Sequence, residues 1–191
     1  MLASPAHRAA IAFLRGGLLA IVGLLAPPRV AAMLAGAGAG ERAATVVALL
    51  LPVLGFALAG AFGGAALGLG RRGAAAFAAG GAVTGLGISI AWPQFAGLTG
   101  HEPILVLTLF ALGTWAAAFG AGGGVAAWAV DRRAIRELSR WFAIGGALGA
   151  ILFVAPSLLV PLGFREWPPM IRVLISTLTS VTGLLAPFGI G

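Results

Sequence analysis

Residues 103–130 read PILVLTLFALGTWAAAFGAGGGVAAWAV, and no charged side chain interrupts them. A helix needs about 20 apolar residues to cross the hydrocarbon core of a bilayer, because each residue adds about 1.5 Å. This stretch is therefore long enough to cross a membrane as a single helix. It decides the fold class, because the surface of a soluble domain cannot accommodate an uncharged segment of this length.

The rest of the chain has the same character. Of its 191 residues, 60% are hydrophobic and 9% are charged, whereas soluble domains carry about 25% charged residues. Six apolar stretches are long enough to be spans: 9–26, 43–69, 74–92, 103–130, 141–162 and 170–188. We therefore predict an all-α integral membrane protein with six transmembrane helices in a single membrane domain, residues 1–191, surrounded by the lipid bilayer.

The first stretch has a second interpretation. Arg8 and Arg15 accompany an apolar run, and Arg29 with small residues follows it, which is also typical of a cleaved signal peptide. The stretch belongs, however, to an internal repeat, and this favours a span.

The repeat consists of three similar segments. They are FLRGGLLAIVGLLAP at 13–27, FAAGGAVTGLGISIAWP at 77–93 and FAIGGALGAILFVAP at 142–156. Each begins with Phe, has Gly-Gly three residues later and ends at Pro. Such recurrence usually means one structural unit used several times. We predict three tandem two-helix hairpins, residues 8–70, 71–131 and 132–191, related by a pseudo-threefold axis along the membrane normal.

The distribution of arginine predicts the orientation. All twelve cationic residues are arginine, and an N-in/C-in topology places seven of them on the inner side: Arg8, Arg71, Arg72, Arg132, Arg133, Arg136 and Arg140. Cytoplasmic ends of spans usually carry the excess of positive charge. We therefore expect this orientation in a bacterial cytoplasmic (inner) membrane. The arginines are scattered between spans, so we expect no nucleic-acid partner.

Three glutamates mark the opposite side. Glu41, Glu102 and Glu166 each precede a span and recur at intervals of 61 and 64 residues. Around a threefold axis they would form an outer acidic ring, and rings of carboxylates attract cations. We favour a simpler interpretation, in which each carboxylate complements the positive end of a helix dipole.

Glycines recur at four-residue intervals within the spans, as GxxxG pairs and a glycine zipper. They are Gly60, Gly64 and Gly68 in the second span, and the pairs Gly81/Gly85, Gly120/Gly124 and Gly145/Gly149. Four residues are about one helical turn, so each set forms a groove into which another helix packs. We expect most of these contacts inside the chain; assembly into an oligomer or a larger complex is the alternative.

Polar residues inside the spans are the binding candidates. Arg15 is the one charge well inside an apolar stretch; it either snorkels to the interface or binds an anion or a carboxylate. The last span carries Arg172, Ser176, Thr179 and Ser180 on one helical face. This face either lines a path for a solute or ion, or packs against other helices.

Catalysis has little support in the sequence. There is no cysteine, and His7 and His101 lie outside the predicted spans, so we expect no metal, cofactor or enzymatic activity. We favour a small permease or channel-like protein for a small solute or ion. The alternative is a non-catalytic membrane subunit that packs on a larger complex through glycine-rich helix faces.

Overall fold

A computed structural model of the chain describes residues 40–98, 103–159 and 163–190, together with isolated residues before position 40. Every regular element in these ranges is helical. The helices are α1 (Glu41–Ala66), α2 (Gly70–Leu98), α3 (Ile104–Val130), α4 (Ile135–Leu158) and α5 (Pro169–Ile190), with short 3-10 turns at Arg132–Ala134 and Phe164–Glu166. The prediction of an all-α protein is confirmed for this part of the chain.

Four of the helices, α1 to α4, are long and apolar enough to cross a membrane, and α5 contributes a shorter apolar stretch, Pro169–Thr179. The predicted first span, residues 9–26, lies outside the described residues. Six spans, three hairpin repeats and the N-in/C-in orientation therefore stay predictions.

Two helices begin earlier than the apolar stretches do. α2 begins at Gly70 and α4 at Ile135, so Arg71, Arg72, Arg136 and Arg140, which precede the apolar stretches, belong to helices. Hydropathy marks only the part of a helix that lies in hydrocarbon, whereas backbone hydrogen bonding continues into the headgroup region. The connection between α3 and α4 consists only of Asp131 and one 3-10 turn.

Two helices continue through prolines: Pro93, which follows the predicted span 74–92, and Pro156, which lies inside the predicted span 141–162. α2 continues through Pro93 to Leu98, and α4 continues through Pro156 to Leu158. A proline removes one backbone donor. In lipid, however, the neighbouring backbone groups have no water to bond, so continuing the helix is less costly than unwinding it.

Each helix packs against the next one in the chain. A tight turn joins α1 to α2, with φ angles of +77° at Gly68 and +66° at Gly70. The backbone N–H of Leu69 donates to the carbonyl of Gly64 at 3.4 Å and closes the turn. Because the connections are short, α1 to α4 alternate in direction, and the N-termini of α2 and α4 lie at the same end.

Aromatic rings fill the interior between α1, α3 and α4. Phe119 of α3 is 1% exposed, and its ring centroid lies 5.7 Å from that of Phe56 on α1. Trp115 continues the row, 6.1 Å from Phe119 and 5.3 Å from Phe153 on α4. The rings link three helices at one level of the molecule.

The outward faces are apolar. Leu50, Leu54 and Leu58 follow one side of α1 and are exposed, opposite the buried Phe56 and Ala59. Water would disfavour so much exposed leucine. These faces are therefore suited to contact with lipid.

Candidate functional sites

Two glycines of α1, Gly60 and Gly64, lie directly against the backbone of α2. A Cβ atom at Gly60 would collide with the carbonyl oxygen of Phe77. A Cβ at Gly64 would lie 3.0 Å from the Cα of Ala74, which is tighter than ordinary contact. Only glycine fits at Gly60, because the obstacle there is backbone and cannot rotate away.

The α2 side of the same interface is built in the same way. A Cβ at Gly81 would collide with the carbonyl oxygen of Phe56, and one at Gly85 would lie 2.7 Å from the carbonyl oxygen of Pro52. The two helices thus approach each other backbone to backbone, and dispersion contacts of this kind hold helices together in lipid.

The contact between α3 and α4 is less uniform. A Cβ at Gly120 would lie 3.1 Å from that of Ala143, whereas one at Gly124 would make only ordinary contact, 3.7 Å from the hydroxyl of Ser139. That hydroxyl donates to the carbonyl of Gly120 at 2.8 Å. Gly145 and Gly149 are both buried in α4.

Gly68 has a different role from the one its spacing predicts. It lies in the turn after α1, and a Cβ there would meet nothing within 4 Å. Its φ angle of +77° is one that glycine adopts readily. The helix ends at Ala66. Gly68 therefore does not belong to the row of packing glycines that its four-residue spacing predicts.

Gly80 and Gly146 make close contacts that the four-residue spacing does not predict. A Cβ at Gly80 would collide with the carbonyl oxygen of Gly122 on α3, and one at Gly146 would lie 2.7 Å from the carbonyl oxygen of Trp115. The Gly-Gly doublet was the available signal. Adjacent helical residues point about 100° apart, so Gly80 contacts α3 while Gly81 contacts α1.

The buried hydroxyls of α2 join it to its two neighbours. The Thr84 hydroxyl donates to the carbonyl of Ala118 on α3 at 3.3 Å, and the Ser89 hydroxyl donates to the carbonyl of Leu49 on α1 at 3.3 Å. Each hydroxyl also bonds a carbonyl of its own helix four residues earlier. These polar groups therefore have partners within the helix packing.

The polar face of α5 turns towards the protein. Arg172, Ser176 and Thr179 are half-buried, whereas an open apolar groove of about 590 Å³ lies on the other side of the helix, lined by residues that include Met170 and Leu174. The side chain of Ser180 lies outside the described part. Arg172, Ser176 and Thr179 thus lie towards the protein, whereas Thr177 is exposed and lines the groove.

Two members of this face differ in their bonding. The Thr179 hydroxyl donates to the carbonyl of Ile175 in its own helix at 2.8 Å, which satisfies it without a solute or a neighbouring helix. The Nε atom of Arg172 is buried and has no hydrogen-bond partner within the described ranges. Burying a guanidinium N–H without a hydrogen-bond acceptor costs free energy. An acceptor near Arg172 would therefore stabilise this part of α5.

The remaining predicted site residues are only partly described. Glu41 is the first residue of α1, after Gly40, a position that suits a carboxylate complementing the helix dipole. Glu166 is exposed in the 3-10 turn before α5. Arg15, Glu102 and the side chain of Glu41 lie outside the described residues, so the acidic ring stays a prediction.

Apolar outward faces, four helices of membrane-spanning length and close backbone contacts between them define an α-helical integral membrane protein. The chain matches no family model, no curated protein and no solved structure. Within the described ranges, no group of three or more His, Asp or Glu side chains could hold a metal ion.

Proposed function

We propose that the chain is a non-catalytic subunit of a membrane complex, in a bacterial cytoplasmic membrane, and that it assembles through the outward face of α3. The single observation that carries this proposal is a row of small, exposed residues on that face. Gly113, Ala117 and Ala121 follow one another at four-residue intervals and all are exposed.

This row forms a shallow groove in the middle of α3. A Cβ at Gly113 would meet nothing within 4 Å, and larger exposed side chains, Leu109 and Trp128, stand towards the two ends of the row. Small residues at such spacing let a second helix approach closely in a membrane. The exposed face of α1 carries leucines instead, which suit contact with lipid tails.

The interior supports a packing role as well. The buried glycines hold α1 to α4 in backbone contact, and aromatic rings occupy the space between α1, α3 and α4. Because these small and polar residues are engaged within the chain, α3 has the face best suited to a partner helix.

A photo-reactive side chain in place of Ala117 tests this interface in intact membranes. We expect a protein adduct on illumination, whereas the same side chain in place of Leu54, which is 55% exposed on α1, should give only lipid adducts. An adduct at twice the 19.0 kDa chain mass would identify a second copy, and any other mass a different subunit. Lipid adducts alone at both positions would contradict the proposal.

A permease remains the second candidate, and Arg172 is the observation that favours it. Its buried, unpartnered Nε lies on the same half-buried face as Ser176 and Thr179, as an anion-binding residue in a solute path would. The path would run along this face and Ser180, with Glu41, Glu102 and Glu166 at the outer mouth and Arg15 towards the inner one. The two candidates differ in whether water reaches Ser176.

A further inference from the structure

One end of the molecule is strongly basic. Six exposed arginines lie in the first two turns of α2 and α4 and in the connection before α4: Arg71, Arg72, Arg132, Arg133, Arg136 and Arg140. Only two carboxylates accompany them in the described residues of this end, Asp131 and Glu137. Asp131 already accepts a hydrogen bond from the backbone N–H of Arg133 at 2.9 Å.

The two groups of arginines lie at the same depth. The rings of Phe77 on α2 and Phe142 on α4 are in contact, with centroids 6.5 Å apart. α2 and α4 run in the same direction, and Arg72 precedes Phe77 by five residues while Arg136 precedes Phe142 by six. At about 1.5 Å per residue, the two arginines are nearly level along the helix axes.

The dipole of α2 does not account for Arg71 and Arg72. The N-terminus of a helix carries partial positive charge, so arginine is disfavoured there and carboxylates are favoured. α2 nevertheless begins with Arg71 and Arg72 and has no acidic residue in its first turn. Six guanidinium groups and two carboxylates therefore share a surface at which positive and negative helix ends alternate, and anions would stabilise the excess positive charge.

Tryptophan places this surface at the level of lipid headgroups. Trp128 and Trp141 are both exposed next to the arginines, and the guanidinium of Arg132 lies 5.2 Å from the ring centroid of Trp128. Exposed tryptophan is typical of the membrane–water interface. Guanidinium groups at this depth are within reach of phosphate oxygens, which they bind in a bidentate manner.

We propose that these six arginines, the arginine rim, bind the phosphate groups of anionic phospholipids in the leaflet that faces this end of the protein. The rim would hold phosphatidylglycerol or a similar anionic lipid in preference to zwitterionic phosphatidylcholine. This role is independent of the subunit interface on α3, because it involves a different surface and a different partner.

Lipid retention by the full chain, purified in detergent and measured by native mass spectrometry, tests the rim. A detergent micelle has no inner or outer leaflet. The preference of arginine for the cytoplasmic side of a membrane therefore cannot influence the result. We expect wild type to retain phosphatidylglycerol over phosphatidylcholine. We expect that preference to fall at least about tenfold when Arg132, Arg133, Arg136 and Arg140 are all changed to Gln, given about fivefold for each basic group near an anionic surface. Arg42→Gln, at the opposite end, should leave it unchanged.

The matched variant with the same four arginines changed to Lys keeps the charge and should keep much of the preference. If the Gln variant loses its helical circular dichroism, the lipid preferences of wild type and of the Lys variant still test the proposal. Equal retention of the two lipids by wild type would overturn the proposal, as would an unchanged preference in a folded Gln variant. Full displacement of phosphatidylglycerol by millimolar inorganic phosphate would also overturn it, because the ligand would then be a soluble anion.

Discussion

Gly60→Ala is expected to destabilise the protein by about 1–3 kcal/mol, the usual penalty of overpacking a close contact. The added methyl group would collide with the carbonyl oxygen of Phe77 on α2, so α1 and α2 would have to separate along their length. The midpoint of thermal unfolding in detergent, followed by circular dichroism, measures the effect.

Gly63→Ala is the matched control for this substitution. Gly63 lies in the same helix, three residues from Gly60, and a Cβ there would meet nothing within 4 Å. Its replacement should be neutral or stabilising, because alanine is favoured over glycine in a helix by about 1 kcal/mol. Equal unfolding midpoints for the two variants would show that α1 and α2 are not in backbone contact at Gly60.

Phe119→Ala should cost about 3 kcal/mol, near the lower end for removing a buried aromatic ring. The ring is 1% exposed and lies against both Phe56 and Trp115, so its loss leaves a cavity where α1 and α3 meet. Lipid provides little hydrophobic driving force between helices. The loss of stability in Phe119→Ala therefore comes mainly from lost packing contacts. This is why we expect a value near the lower end of the usual range.

Phe62→Ala provides the comparison, because Phe62 is on the lipid-facing surface of α1 and is 48% exposed. Its removal leaves no cavity, and we expect a change within about 0.5 kcal/mol, as for surface positions generally. Both variants should be measured in the same detergent. A Phe119→Ala midpoint equal to that of Phe62→Ala would contradict a packed aromatic interior.

Much of the fold could be predicted because an uncharged stretch such as residues 103–130 can satisfy its backbone in lipid only as a helix. Helix ends were less predictable. Arg136 and Arg140 are charged, so hydropathy placed them in a connector, although α4 begins at Ile135. The predicted span 74–92 ends before Pro93, whereas α2 continues through it, because the usual preference for ending a helix at proline applies where water can bond the freed groups.

The contacts of individual glycines depend on information that spacing does not contain. Gly68 continues the four-residue period of Gly60 and Gly64 but lies beyond the end of α1. Gly122 belongs to a run of glycines, and the sequence alone does not indicate which member faces α2. The doublet at Gly80 was visible, yet its two different neighbours follow only from the arrangement of three helices.

The polar face of α5 was predicted from periodicity, because Arg172, Ser176 and Thr179 recur with the helical repeat. Whether that face lines a path or packs depends on what lies opposite it, and the pattern of one helix carries no such information. The unpartnered Nε of Arg172 was likewise not predictable, since it results from burial of one atom at the start of α5.

The most direct test of a dry, membrane-embedded helical body is labelling of single cysteines by a water-soluble thiol reagent in membranes opened to give access from both sides. The chain has no cysteine of its own, so each engineered residue reports alone. Our account predicts rapid labelling of Arg133→Cys in the exposed connection and protection of Leu54→Cys, Thr84→Cys and Ser176→Cys. Labelling of Leu54→Cys at the rate of Arg133→Cys would contradict membrane embedding. Labelling of Thr84→Cys or Ser176→Cys would reveal water between the helices and contradict the packed interior.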